Sequence, residues 1–281
     1  MYAKYNGKGL LIDSGEGTQI AMKENGISTH DIDIICFTHY HADHISGLPG
    51  LLLSIGNADR TDPVTIIGPK GLKRVVGSLR VVAPELPFAT ELIEIENDIQ
   101  HLSLEGYEID AFKVYHKITC YGYSINIPRL GKFNVDKAKE LGIPLKFWNR
   151  LQHGESAEED GRIYTPDMVM GEARKGLKVT YCTDSRPVPV ISEMAAGSDI
   201  FICEGMYGDD SRDNKALEYK HMTFSEAAKL AKDADVEEMW LTHFSPALSR
   251  PQDFVKNAKK IFPRTTAGKC GMSKTLKFAE E

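Results

Sequence analysis

Short apolar runs with β-branched and aromatic residues recur along the chain and alternate with amphipathic stretches. Leu10–Asp13, Ile32–Thr38, Val64–Ile67, Glu108–His116, Tyr121–Ile127, Lys178–Thr183, Asp199–Glu204 and Met239–His243 predict strands. Leu72–Val82, Phe224–Asp233 and Pro251–Phe262 carry the helical period. Thr223 or Ser225 would cap the second helix, and Ser249 the third, with Pro251 in its first turn. Strands alternating with helices imply a layered α/β protein. No internal repeat stands out.

Residues 129–177 break this rhythm. They are polar and rich in turn residues, among them Gly131, Gly142, Pro144, Gly154, Gly161, Pro166 and Gly171. A structureless loop of that length is unusual, so the segment predicts an inserted excursion with short elements of its own. Its first part, 129–150, carries six basic side chains (Arg129, Lys132, Lys137, Lys139, Lys146, Arg150) against two acidic ones (Asp136, Glu140). Phe133, Phe147 and Trp148 lie between them. Such a mixture suits a phosphate backbone with stacked bases, and it equally suits a solvated helix whose aromatics pack inward.

The densest chemistry lies in Thr38-His39-Tyr40-His41-Ala42-Asp43-His44, an HxHxDH pattern directly after an apolar run. Burying so many polar side chains as ordinary core would leave each in need of a partner. A strand end that turns sharply can aim them at two neighbouring points instead. His39 and His41 share a direction from an extended segment, while Asp43 and His44 reach a second point. Neutral imidazoles with a carboxylate suit zinc and similar divalent ions.

Composition bounds the rest. At 281 residues, 42% apolar and 26% charged, the chain is long and apolar enough for a large core. It has no apolar run long enough for a membrane span, and its start resembles no signal peptide. Cys36, Cys120, Cys182, Cys203 and Cys270 are odd in number and scattered, which predicts reduced thiols in a cytoplasmic protein. Alternation points Cys182 to the same side as Asp184, although a buried inert thiol is the simpler reading. A net charge of −6 means that a polyanion must be met by a local basic surface or by metal. His30 and His153 are expected on the surface, His101 at a turn or short strand, and Asp33 at a strand edge.

Further motifs align with a known group. Asp13-Ser14-Gly15-Glu16-Gly17-Thr18-Gln19 opens the series, followed by the HxHxDH segment and Gly47-Leu48-Pro49-Gly50-Leu51-Leu52. His116 stands six residues before Gly122-Tyr123, and Asp184 lies in Thr183-Asp184-Ser185-Arg186-Pro187. Glu204 ends a predicted strand, His221 begins His221-Met222-Thr223, and His243 lies in Leu241-Thr242-His243-Phe244-Ser245. In these segments the chain resembles the metallo-β-lactamase-fold hydrolases, and within them the short-form ribonuclease Z group.

The resemblance implies a four-layer αβ/βα sandwich formed by residues 1–281 as one domain, with 129–177 as an inserted, exosite-like arm. It also implies two divalent ions per chain, zinc or else manganese. Two such ions about 3.5–4 Å apart can share a hydroxide and a phosphodiester. His39, His41 and His116 would hold one ion, Asp43, His44 and His243 the other, and Asp184 would bridge. Asp43 would also orient the hydroxide. Glu204 and His221 would together expel the leaving 3′-oxygen; otherwise His221 is a helix-entry residue beside its cap. Lys132, Lys146, Trp148 and Arg150 are candidate RNA contacts. The implied activity is endonucleolytic 3′-end processing of tRNA precursors by a cytoplasmic homodimer.

The match departs from the group in three places. Met1 falls inside what should be the second strand, the excursion lacks a Gly-Pro pair, and no arginine follows His243 in Phe244-Ser245-Pro246-Ala247. Two alternatives therefore stay beside the first. One is hydrolysis of a small cyclic or aryl phosphodiester with the same metals; the other is an RNA-binding protein with structural zinc only.

Overall fold

In a computed structural model, residues 1–279 of the chain are described. They form two compact units, one of residues 1–125 with 178–275 and one of residues 126–177 with the C-terminal segment from 276.

The first unit contains two sheets. Strands β1 (Tyr2–Tyr5), β2 (Lys8–Ile12), β3 (Ile32–Cys36), β4 (Val64–Pro69) and β5 (Thr90–Ile95) lie side by side in chain order. β1 is antiparallel to β2, and the remaining pairs are parallel. The second sheet begins with β6 (Ile99–Leu104), β7 (Tyr107–Val114) and β8 (Cys120–Arg129). After a small hairpin in the second unit, β9 (Ala157–Glu159) and β10 (Arg162–Tyr164), it resumes. Its later strands are β11 (Arg174–Cys182), β12 (Ile200–Glu204), β13 (Met239–Thr242) and β14 (Thr265–Ala267). The spatial order is β14-β13-β12-β11-β8-β7-β6.

Alternation along the strands sorts the layers. Leu11, Ile35 and Ile66 pack with Leu48, Leu51, Leu52 and Ile55 of the helix Leu48–Gly56 and with Leu72 and Val76 of the helix Leu72–Leu79. Their neighbours Leu10, Ile12 and Ile34 are equally buried and face the other way. In the second sheet, Phe201, Cys203 and Leu241 pack with Phe224, Ala227 and Ala231 of the helix Phe224–Asp233. The hydroxyls of Tyr107 and Tyr123 join the sheets, donating to the carbonyls of Lys8 (2.8 Å) and Phe37 (2.7 Å). Helices outside and sheets inside make a four-layer αβ/βα sandwich, as the resemblance implies. All five cysteines are free, four of them buried. Among the described residues no helix is long and apolar enough to cross a membrane.

Several local expectations change. Thr223 caps the helix Phe224–Asp233 in a reciprocal box with Glu226. Ser249 does not cap the next one: a 3₁₀ turn Pro251–Asp253 starts after Arg250, and the α-helix runs only over Val255–Lys259. His101 sits within β6 and is held by Asp110 (2.7 Å) and Glu108 (2.9 Å). Asp33 is no strand-edge residue. It is buried in β3, which is paired on both sides, and it takes Arg60 (3.0 Å) and the Gly9 amide (2.9 Å). Removing one partner of a buried pair leaves the other charge stranded. Asp33→Ala should therefore lower stability by about 3–5 kcal/mol, read as a lower urea midpoint at unchanged slope. A shift within about 0.5 kcal/mol, as for ordinary surface sites, would show that the carbonyls of His30, Asp62 and Pro63, to which Arg60 also donates, suffice to hold its charge.

The second unit has its own small core. Ala138, Ile143, Phe147, Leu151, Ala157, Tyr164 and Val169 are buried together, with Phe133 and Trp148 against them. They come from the helices Val135–Glu140 and Leu145–Gln152 and the β9–β10 hairpin. The basic stretch is largely matched within the excursion: 129–177 holds nine basic and eight acidic side chains. Lys146 pairs with Glu159, and Arg150 lies 3.4 Å from Glu155. Trp148 donates to the Ile143 carbonyl (2.9 Å) and packs on Phe133, 5.5 Å between ring centres. Phe133, Phe147 and Trp148 thus form the excursion's own core, and of the two readings of this stretch it is inward packing that is observed.

Candidate active site

The site stands where strands of the two sheets end. Asp13 follows β2, His39–His44 follow β3, His116 follows β7, Asp184 follows β11, Glu204 closes β12 and His243 follows β13. Ligand sites of open α/β sheets favour such carboxyl ends. Asp13, Asp184 and His243 have φ of 60°, 48° and 53°, the left-handed region that non-glycine residues seldom occupy. Three such residues around one point indicate a backbone bent to aim side chains. Close approach also requires glycine here: a Cβ on Gly15 would lie 2.1 Å from the Asp43 carbonyl, and one on Gly47 2.0 Å from that of Gly15. The opening loop is thereby locked against the HxHxDH turn, with the Ser14 amide donating to the His44 carbonyl (2.8 Å).

All seven expected ligands converge. His39, His41, His116 and Asp184 each offer an atom within 4.8 Å of the others, and so do Asp43, His44 and His243. Asp184 Oδ2 lies 3.1 Å from His39 Nε2 and 3.3 Å from His44 Nε2, while its Oδ1 is 3.0 Å from His243 Nε2. This single buried carboxylate touches both groups. Asp43 is more open, its side chain 69% exposed and its Oδ2 3.5 Å from His44 and 3.7 Å from His243. Asp184, His221 and His243 also qualify as a donor group, so distance alone leaves His221 two readings, ligand or acid.

Outer partners select which nitrogen faces inward. The Thr38 hydroxyl meets His39 Nδ1 (3.0 Å), Asp13 takes the His44 Nδ1 proton (2.8 Å), and the Lys220 carbonyl takes that of His116 (3.2 Å). Each of these rings is left with Nε2 for the centre, the way second partners orient metal-binding histidines. Asp13 also accepts the Thr38 amide (2.9 Å) and hydroxyl (2.9 Å). Sequence reasoning placed Asp13 in a motif without a role. Its one available signal was position, an acid ending a buried strand.

Charges follow from burial and pairing. Burial pushes His116 down to about 4 and also lowers His41, keeping both neutral as ligation requires. Burial opposes charge on His44, but hydrogen bonds to Asp13 and Asp184 outweigh it and raise it to about 10. Burial likewise opposes charge on Asp184, yet His39 and His44 hold it far below the carboxylate range. His243 pulls Asp43 down to about 2. The carboxylates thus stay charged and draw positive charge inward. The buried His116 Nε2 has no hydrogen-bond partner, and it faces Asp184 Oδ2 at 3.9 Å. Converging imidazole and carboxylate donors with an unsatisfied buried nitrogen fit divalent metal binding.

Beside this cluster, the carboxylate of Glu204 is wholly buried. It accepts from the Ser185 amide (2.6 Å), the Met222 amide (3.3 Å) and His221 Nδ1 (3.2 Å). Burial raises its pKa, and the bond to His221 offsets part of that. The His221 ring stacks on His243 at 5.7 Å and lies 5.2 Å from His116. A further clamp escaped the sequence reading. Arg186 donates to the His221 carbonyl (2.5 Å) and to both oxygens of Glu226, the acid of the Thr223 box. Cys182 is buried in the apolar core with its thiol pKa raised by burial, so it stays inert. His30 and His153 are exposed and distant in role.

Comparison with known proteins adds the family context. A family profile described as anti-Pycsar protein Apyc1 matches residues 1–136. The ribonuclease Z of Lachnospira eligens is 66% identical over 281 residues, covering all of this chain and 92% of that protein. That of Lachnoclostridium phytofermentans is 59% identical, covering 99% of this chain and 91% of the relative. Among solved structures, human tRNase Z, short form, has a TM-score of 0.65 at 23% identity, over 96% of this chain and 89% of that one. A Bacillus subtilis metallo-β-lactamase-fold protein, YhfI, has a TM-score of 0.67 at 20% identity, over 96% and 89%. At those identities the two structures speak for the fold.

Proposed function

Since this chain belongs to the ribonuclease Z family, we propose that it cuts tRNA precursors at their 3′ ends at the histidine–aspartate centre described above. It is a metal-dependent hydrolase of the metallo-β-lactamase fold. The observation that carries the reading is Asp184, one buried carboxylate shared by two groups of donors. His39, His41 and His116 would hold one divalent ion, Asp43, His44 and His243 a second, with zinc favoured by the imidazole-rich set. Such ions would polarise the phosphate and make water a competent nucleophile at neutral pH.

The chain's own residues supply the rest. Asp43, the most exposed of the acids here, would orient the attacking oxygen. Glu204 fixes the Nδ1–H of His221, so Nε2 is the atom turned to substrate. As water adds to phosphorus, the P–O3′ bond breaks, and His221 Nε2–H delivers its proton to the departing 3′-oxygen. The tRNA body keeps a 3′-hydroxyl, and the trailer leaves with the phosphate. The 129–177 unit would serve as an added RNA-binding surface, using Lys132, Lys146, Arg150 and the half-buried Trp148. A cytoplasmic homodimer completes the proposal.

The test compares two substrates, a 3′-extended tRNA and a chromogenic phosphodiester, each with and without chelator. Full-length protein should cut both and lose both reactions to the chelator. A variant with residues 132–172 replaced by a short Gly-rich linker should show a KM for tRNA raised by about tenfold or more, the loss of about 1.4 kcal/mol of binding. If the full-length protein cuts only the small diester, the small-substrate alternative takes its place.

A further inference from the structure

Two tripeptides that carry site histidines pack against each other. Tyr115-His116-Lys117 follows β7, and Tyr219-Lys220-His221 ends the helix Asp213–Tyr219. His116 and His221 lie ring to ring at 5.2 Å. Lys220 Nζ sits over the Tyr115 ring, 4.8 Å from its centre, and Lys117 Nζ over that of Tyr219 at 4.6 Å. The two tyrosines are 50% and 44% exposed. Among the described residues neither lysine has a carboxylate within ion-pair distance. Every one of these residues lies in the first unit.

Such an arrangement has no evident structural purpose. Large aromatic rings left half in water give up burial, and two ammonium groups without carboxylate partners leave positive charge uncompensated. Both features become favourable when a single-stranded polyanion with flat bases lies across them. A tyrosine face stacks on any base, and an ammonium beside it meets the adjoining phosphate. Each pair includes an immediate chain neighbour of His116, so both lie beside the point where the scissile phosphodiester would sit.

We propose that Tyr115–Lys220 and Tyr219–Lys117 form a rim beside His116 and His221 that grips the unpaired RNA next to the cut bond. This rests on the tRNA-processing reading and names the part of the substrate bound: single-stranded nucleotides flanking the scissile phosphate, held by stacking and phosphate contact without base-edge reading. The grip accepts different trailer sequences, since every base has a face to offer. It also supplies local positive charge in a protein that is acidic overall.

The rim is tested with metal-loaded, full-length protein and a fluorescent single-stranded phosphorothioate oligoribonucleotide. Tyr115→Ala and Tyr219→Ala should each weaken binding by about 5- to 100-fold, the usual worth of one stacked base. The Tyr→Phe variants should bind like the parent, because the ring face is kept. Lys117→Ala and Lys220→Ala should each reduce the slope of log affinity against log salt by about 0.7, the value for one phosphate on a single strand. Metal content, measured on every variant, shows that each is folded and loaded. Unchanged affinity in both alanine variants would overturn the rim, as would phenylalanine variants that fail as badly as alanine. Should the parent leave 3′-extended tRNA uncut while the alanine variants still lose oligonucleotide binding, the rim stands and the tRNA assignment falls.

Discussion

Asp184→Ala is expected to abolish hydrolysis, by more than about 10⁴-fold, and to empty both metal positions, since one carboxylate serves both donor groups. Its Oδ2 lies near His39 and His44, and its Oδ1 near His243. No other acid replaces it: Asp43 approaches only the His44–His243 side, and Glu204 is committed to His221 and two backbone amides. Alanine also sits poorly at φ 48°, so part of any stability loss would come from backbone strain rather than from metal. Asp184→Asn separates the two. Asparagine tolerates the left-handed region and keeps the side chain's shape, but it lacks the charge that would hold the two proposed cations. The asparagine variant should therefore fold like the parent and still lose metal. Elemental analysis decides the matter. One ion per parent chain, retained in both variants, would replace the paired site with a single-metal centre.

How much of this was legible in the chain depends on how local each signal is. His39, His41, Asp43 and His44 lie within six residues after an apolar strand, so their convergence follows from backbone geometry alone. His116, Asp184 and His243 were legible only because each ends a recognisable strand and sits in a motif resembling the family's. The roles of Asp13 and Asp33 were hidden by distance. Asp13 acts on His44 across 31 residues, and Asp33 on Arg60 across 27. A charged side chain in a strand looks like an edge until its buried partner is known. β5 is hard to read because Glu91 and Glu94 interrupt the apolar pattern of a strand at the margin of its sheet. The helix Leu48–Gly56 was masked by Pro49-Gly50 in its first turn. In the excursion the basic run was plain, but its neutralisation was not. Glu155 and Glu159 follow their partners by several residues and meet them only through the fold of that unit.

His221→Ala is expected to slow tRNA cleavage by roughly 10²–10⁴-fold, the usual contribution of a positioned acid, with metal content unchanged. The geometry supports a proton carrier. Glu204 is fully buried, is itself anchored by the Ser185 and Met222 amides, and accepts from His221 Nδ1. A carboxylate so fixed holds the Nδ1–H and orients the ring, leaving Nε2 to face the leaving oxygen. Arg186 and Glu226 hold the backbone of the same residue, so the ring has little freedom to swing away. An acid matters most when the leaving group is poor. A ribose 3′-oxygen needs its proton, whereas a nitrophenolate scarcely does. The variant should accordingly keep much more of its activity on bis(p-nitrophenyl) phosphate than on tRNA, and Glu204→Gln should shift the two substrates in the same unequal way. The rival assignment makes His221 a ligand with Asp184 and His243, which lie within the same reach. That assignment requires metal to be lost and both substrates to suffer equally, so the ratio of the two rates, read beside elemental analysis, distinguishes an acid from a ligand.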